Sequence, residues 1–283
     1  MLSGIDISEF QGNIDWVTLK NNVNFVISKA TEGVGFIDPW FGNNRSQARL
    51  AELPRGFYHF ARPDTGNLPE NEAQFFIDLM NGQPLQDGES IYLDYEVQYT
   101  GDNVAWALKW LQTVENALNV KPILYTYQSM LTSYDWTPVA NNGNGLWIAA
   151  PTNDPNNNDF QTGAWSFAMM QQWGNQTIPG ISTGVVDSDI FFGTEEEFKA
   201  YGYKAPQPET SSVVSVPPQD TTIGQPVSNP STPINEVPET TVTPIKPAVE
   251  ANQAKDSVFS TPPTNFPSLI KFLEWLIAKL KTM

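Results

Sequence analysis

The stretch "ESIYLDYEVQ", residues 89–98, decides how this chain is read. It is a short apolar run of the kind that forms a buried strand. The strand period of two places Asp94 and Glu96 on one face, with Cα atoms roughly 6.5–7 Å apart. Leu93 and Tyr95 then point the other way. Two carboxylates in a buried strand are costly unless they are paired or have a chemical task.

Working outward, seven more runs read as strands: "SGIDIS" (3–8), "NFVISKAT" (24–31), "RGFYHFA" (55–61), "PILYTY" (122–127), "LWIAAP" (146–151), "FAMMQQW" (167–173) and "GVVDSDIF" (184–191). Helical patterns separate the earlier strands, at 16–21, 41–51, 69–80, 103–118 and 128–134. The later gaps are Asn/Gly/Pro-rich, as in "NDPNNNDFQTG" (153–163). Apolar strands alternating with crossover helices predict a parallel barrel rather than an open sheet. The expected fold class is α/β, an irregular TIM-like (β/α)5β3 barrel over residues 1–204, which loses helices in its last part.

Catalytic groups in such barrels sit at the C-terminal ends of the strands. Those ends carry Asp6, Lys29, Glu32, Tyr58, Asp94, Glu96, Tyr125, Tyr127, Trp147, Trp173 and Asp187, with Asp189 close by. Strands 1 and 8 are neighbours in a closed barrel, so Asp6 and Asp187 join Asp94 and Glu96 at the mouth. Acids with Tyr and Trp surfaces suit carbohydrate cleavage, which needs a proton donor, a charge stabiliser and flat faces for sugar rings. Each residue also has a plainer reading. The D-x-E pair could be a structural ion pair with Lys29 or an arginine, the other acids could cap loops, and the aromatics could be core. His59 reads equally as a barrel-interior or a catalytic histidine. A hard-cation site formed by the carboxylates is a further alternative. Convergence on one mouth favours the catalytic reading.

Composition narrows the choice. The net charge of −16 argues against nucleic acid and against simple attraction to anionic membranes. The chain has no cysteine and one histidine, so thiolate and His-rich metal sites are excluded. No cofactor and no metal are expected.

The motifs "GIDISEFQG" (4–12), "SKATEG" (28–33), "GFYHFA" (56–61), "YLDYE" (92–96), "ILYTY" (123–127), "LWIAAP" (146–151) and "GVVDSDIFFG" (184–193) together resemble glycoside hydrolase family 25, the Chalaropsis-type N-acetylmuramidases common among phage endolysins. The resemblance spans 1–204 and implies the (β/α)5β3 barrel. It also implies cleavage of the β-1,4 bond between N-acetylmuramic acid and N-acetylglucosamine, with bacterial peptidoglycan as partner. It makes Glu96 the general acid and assigns Asp94, Asp6 and Asp187 to the catalytic set. Asp94, remaining ionised, would assist participation of the substrate's own N-acetyl group. An aspartyl nucleophile and an inverting water remain alternatives. Tyr58, Tyr125, Tyr127, Trp147, Trp173, Lys29 and Glu32 are the substrate-binding candidates. The family often has Asn where this chain has Asp189, whose charge either raises a neighbouring carboxyl or faces a loop. A non-catalytic glycan-binding barrel and an unrelated barrel glycosidase are the competing functions.

Beyond the barrel, residues 205–265 are rich in Pro, Ser, Thr and Glu and read as a disordered linker. Residues 266–283, "FPSLIKFLEWLIAKLKTM", read as an amphipathic helix with Leu269, Leu273, Leu276 and Leu280 at a/d spacing. Such a helix fits self-association into a homo-oligomer, contact with a membrane, or docking on the barrel. No signal peptide is visible at "MLSGIDISEF". The expectation is a chain made in the host cytoplasm that reaches the wall after release, with secretion as the alternative.

Overall fold

The structure is a computed structural model, and it describes residues 1–205. The expected amphipathic helix (266–283) and, apart from Ala205, the expected linker (205–265) lie outside the described residues. In chain order the strands are β1 (Leu2–Ile7), β2 (Phe25–Glu32), β3 (Phe36–Ile37), β4 (Arg55–Phe60), β5 (Ser90–Asp94), β6 (Ile123–Tyr127), β7 (Leu146–Ala149), β8 (Met170–Gln176) and β9 (Val186–Phe191). The helices are α1 (Trp16–Leu19), α2 (Phe41–Leu50), α3 (Pro69–Gly82), α4 (Asn103–Leu118), α5 (Gln128–Ser133), α6 (Thr137–Asn141) and α7 (Glu195–Ala200).

Eight strands close a barrel in the order β1-β2-β4-β5-β6-β7-β8-β9, with β9 returning to β1. The two-residue β3 hangs on β2 as a hairpin. All barrel pairings are parallel except those of β9, which runs antiparallel to β8 and to β1. This corrects the all-parallel expectation. A parallel pairing needs a crossover of roughly a dozen residues or more, and only residues 177–185 separate β8 from β9. The reversal brings the N-terminal end of β9, and with it Asp187, to the mouth formed by the C-terminal ends of the other strands.

The alternation read in "SIYLDYE" holds. Ile91, Leu93 and Tyr95 are fully buried in the layer shared with Phe76, Ile77 and Met80 of α3 and Trp106, Ala107 and Trp110 of α4. The opposite face fills the barrel with Phe25, Ile27, Tyr58, Tyr92, Ile123, Tyr125, Trp147, Met170 and Phe191. Two glycines make room for these rings. A Cβ on Gly4 would fall inside the Phe25 ring, and one on Gly56 would strike Tyr92. Helix α7, which the strand pattern did not suggest, seals the floor. Its Phe198 ring lies 4.9 Å from Phe25 and 5.3 Å from Phe191. Thr194 and Glu197 form a capping box at its start, the sequence signal by which it could have been found.

His59 takes neither role expected of it. It sits at an odd position of β4 with Arg55 and Phe57, so it faces the helices, fully buried. Its Nδ1 lies 2.7 Å from Thr31 Oγ1 and its Nε2 2.9 Å from Glu72 Oε2, and the ring stacks on Trp110 at 5.2 Å.

The floor also holds a buried ion cluster. Glu89, immediately before β5, meets Arg45 at 3.1 Å, Arg49 at 2.7 Å and Arg55 at 2.7 Å. Burial works against its charge, but the hydrogen bonds from Arg49, Arg55 and the Gln86 backbone and the charge of Arg45 outweigh it, holding the carboxyl at about 2.

Candidate active site

A cavity of about 370 Å³ opens at the mouth, lined by Asp6, Lys29, Tyr58, Phe60, Asp94, Glu96, Tyr125, Trp147, Gln172 and Asp187, with Ser8, Phe10 and Gln11 at its edge. Register explains the gathering. Asp94 pairs with Phe60 on one side and Tyr125 on the other, Tyr125 pairs with Trp147, and Lys29 pairs with Tyr58. Strand β5 ends at Asp94, one turn of the pleat before Glu96. The ladder nevertheless continues through Tyr95, whose N–H donates to Tyr125 O at 2.9 Å and whose carbonyl accepts from Thr126 Oγ1 at 2.7 Å. Tyr95 stays locked toward the helices, and Glu96 therefore stays on the side of Asp94.

Asp94 is 8 % exposed, and no protein donor among the described residues reaches its Oδ1. Burial, then the neighbouring Glu96 and Asp6, push its carboxyl well above the usual range, while Lys29 opposes them. Glu96 is only half-buried, and burial and Asp187 raise it against the pull of Lys29. Asp6 is pushed up to about 8, by burial and by the charges of Asp187 and Glu96, although Gln172 Nε2 donates to it at 2.8 Å. Asp187 stands at the rim, open to solvent. Among the described residues lining the cavity Lys29 is the one ammonium facing four acids, so burial and mutual repulsion raise the proton affinity of the cluster. Against the expectation of an ionised Asp94, burial and the neighbouring acids push its carboxyl up, and Lys29 is the charge that favours ionisation.

The model of the glycosyl hydrolases family 25 matches residues 5–181. The chain belongs to glycosyl hydrolase family 25. It is 31% identical over 215 residues to the uncharacterized protein YegX of Escherichia coli O157:H7, covering 71% of this chain and 73% of that one. Lysozyme M1 of Streptomyces globisporus is 42% identical over 67 residues, 23% of each chain. The solved muramidase of Trichobolus zukalii superposes with a TM-score of 0.59 at 27% identity, over 71% of this chain and 99% of that one. The chain is thus a glycoside hydrolase of the muramidase, or lysozyme, type.

Within this family 25 barrel, Asp6, Asp94, Glu96, Asp187, Lys29, Tyr58, Tyr125 and Trp147 come together in the cavity, and three residues singled out from the sequence do not. Trp173 is the extra residue of a bulge between Gln172 and Gly174, buried and away from the cavity lining. Tyr127 is half-buried outside the lining. Glu32 lines a neighbouring cleft of about 550 Å³, where it pairs with Lys29 at 2.7 Å and Arg62 at 2.9 Å. Burial pushes Glu32 up, but those two cations outweigh it and hold its carboxyl below the usual range. From there it orients Lys29 toward the acids.

Tyr58, Tyr125 and Trp147 are each at most 9 % exposed, so little of their ring surface is open to a sugar. The open aromatic at this family 25 mouth is Phe10, 75 % exposed. The sequence reading passed over it because it follows a strand rather than ending one. Its turn is rigid. Ser8 and Gln11 form a capping box, the Glu9 N–H donates to Asp38 Oδ2 at 2.7 Å, and Gly12 supplies φ +57 where the chain leaves. The S-x-x-Q spacing of Ser8 and Gln11 was the available signal.

Proposed function

We propose that this muramidase hydrolyses the β-1,4 bond between N-acetylmuramic acid and N-acetylglucosamine in bacterial peptidoglycan, with Glu96 as general acid. The observation that carries this is Glu96 itself: a half-buried carboxyl, raised by burial and by Asp187, sharing a cavity with Asp94 two residues before it. A raised pKa keeps the proton on Glu96 until it is needed.

In this reading the Glu96 proton passes to the glycosidic oxygen as the C1–O bond breaks. The carbonyl oxygen of the substrate's 2-acetamido group attacks C1 and closes a positively charged oxazolinium ring, one of the exceptions to the two-carboxylate scheme. Asp94 accepts the acetamido N–H, for which it has an acceptor oxygen to spare, and its charge is favoured as the oxazolinium cation forms beside it. Glu96, now a carboxylate, takes a proton from the water that attacks C1, which regenerates the acid and retains the anomeric configuration. Asp6 and Asp187 hold substrate and set the charge around Glu96. Phe10 presents a ring face to a sugar at the rim, with Lys29, Tyr58, Tyr125 and Trp147 forming the floor.

Mass spectrometry of borohydride-reduced digests tests this. Products ending in reduced muramic acid support the reading. Products ending in reduced glucosamine assign another bond, turnover of muramic-acid-free glycans such as chitin assigns another glycosidase, and wall binding without products assigns a binding barrel. We further propose a phage-type role in host lysis. Cells making the chain in their cytoplasm should stay intact until the membrane is permeabilised, and lysis without permeabilisation would refute that role.

A further inference from the structure

Beneath the cavity floor lies a carboxyl that the mechanism above leaves unused. Asp189 is fully buried inside the barrel, on β9, paired across the sheet with Gly4 and Gln172. Its Oδ1 accepts the indole N–H of Trp147 at 2.9 Å. Its Oδ2 is sealed from solvent and receives no N–H or hydroxyl from the described residues. The group within hydrogen-bonding reach is the carboxyl of Asp6. Two carboxyl groups meet in a hydrogen bond only when one of them keeps a proton. Asp6 already accepts Gln172 Nε2, and Gln172 Oε1 accepts the Tyr125 hydroxyl at 3.0 Å. One Asp6 oxygen is thereby engaged as an acceptor, while Asp189, fully enclosed, with Trp147 as a neutral donor on Oδ1 and an otherwise unpartnered Oδ2, is the carboxyl that keeps the shared proton.

We propose that Asp189 is a positioning residue that stays protonated and donates a hydrogen bond from Oδ2 to Asp6, locking the Asp6 carboxyl group at the cavity floor without adding a charge beside it. The charged and titratable groups around it agree. Asp6 on β1, Asp187 on its own strand and the Tyr92 phenol on β5 face it, and Trp147 on β7 supplies a neutral donor. No cation is among them within the described residues. Burial first, then the charges of Asp6 and Asp187, push its carboxyl well above the usual range. The result is a closed relay, Trp147 to Asp189 to Asp6 from one side and Tyr125 to Gln172 to Asp6 from the other. It sets the orientation of two cavity-lining aromatics together with one acid. The inference rests on the reading of Asp6 as part of the active site, but its central claim concerns a proton and is measurable without activity.

Two variants of the full chain test it. Asp189→Asn keeps the acceptor for Trp147 and offers an N–H to Asp6. Asp189→Leu keeps the bulk and offers neither. In capillary electrophoresis of the folded proteins at pH 7, wild type and Asp189→Asn should migrate together, because each carries a neutral group at 189. A wild type more negative by one charge would show Asp189 ionised and overturn the proposal, whatever the enzyme's substrate. In wall digestion Asp189→Asn should keep kcat within about threefold, and Asp189→Leu should lose roughly tenfold or more in kcat at little-changed KM, the scale of a lost buried hydrogen bond. Rescue by Asn but not Leu supports a donor role. Equal loss in both variants, no loss in Leu, or a loss carried by KM alone would overturn it.

Discussion

The two ends of β5 treat their acids in opposite ways. At the floor, Glu89 is fully buried and ringed by three guanidiniums, which hold its carboxyl at about 2. At the mouth, Asp94 and Glu96 face Asp6, Asp187 and, among the described residues, a single ammonium, Lys29, and are pushed up. Burial alone therefore does not decide what an acid does; the sign of its neighbours does. The floor uses its acid to tie α2 to β4 and β5. The mouth leaves its acids short of cations, a costly arrangement for folding that keeps protons available for chemistry.

The contrast breaks most visibly at Glu96. Glu96→Gln keeps the shape and removes the proton. We expect muropeptide release to fall by about 10²–10⁴-fold, the usual weight of general acid catalysis, with thermal stability unchanged or higher. Near wild-type release would remove Glu96 from its role.

At the floor the effect reverses. Glu89→Gln leaves three guanidiniums around a neutral group and should cost on the order of 3–5 kcal/mol in urea unfolding, with the folded fraction cleaving at the wild-type rate. A loss of specific activity without a loss of stability would mean the two ends are coupled.

The next test uses pH. Glu89 is held below its ordinary value, so its contribution is complete above about pH 4.5 and is lost as pH falls through about 2. Asp6 is held above its ordinary value, so the fold binds that proton more tightly than the unfolded chain does. Its contribution is present below about pH 4, and stability declines as pH rises through about 8. Asp6→Asn should melt together with wild type near pH 4 and several degrees higher at pH 9, at about 2–4 °C per kcal/mol for a domain of this size. Equal melting at both pH values would contradict the raised Asp6.

Two smaller effects sharpen the picture of the mouth. Lys29 lowers both Glu96 and Asp94, so Lys29→Met should raise both and move the alkaline limb of the kcat profile to higher pH. A limb moving to lower pH would exclude Lys29 as their counter-charge. Phe10→Ala should raise KM several-fold, the scale of about 1 kcal/mol for an aromatic contact, and leave kcat nearly unchanged. An effect on kcat alone would place Phe10 nearer the reacting bond than the rim.

Much of the fold was legible because strand alternation and helix spacing are local. The eight barrel strands were found at nearly their observed bounds, with Asp94 and Glu96 correctly set opposite Leu93 and Tyr95. The antiparallel turn of β9 was less legible, because strand direction depends on the loop that precedes it and not on the residues of "VDSDIF". Trp173 misled for a related reason. One bulge residue shifts the alternation, and "QQW" contains no mark of it. Tyr58, Tyr125 and Trp147 were placed at the mouth by their position on strands. That position could not say that they are buried while Phe10, on a turn, is the open ring.

By itself the sequence determined which faces of which strands are apolar, that the acids of "YLDYE" share a side, and that the chain uses neither thiolates nor a histidine cluster. Those properties follow from the order of residues along a strand. Only the tertiary structure decided the company each acid keeps. Arg45, Arg49 and Arg55 stand 34–44 residues away from Glu89 in the chain, and Gln172 stands 166 residues from Asp6. A carboxyl's proton affinity is set by charges and donors within a few ångströms. Those neighbours exist only once the barrel has closed.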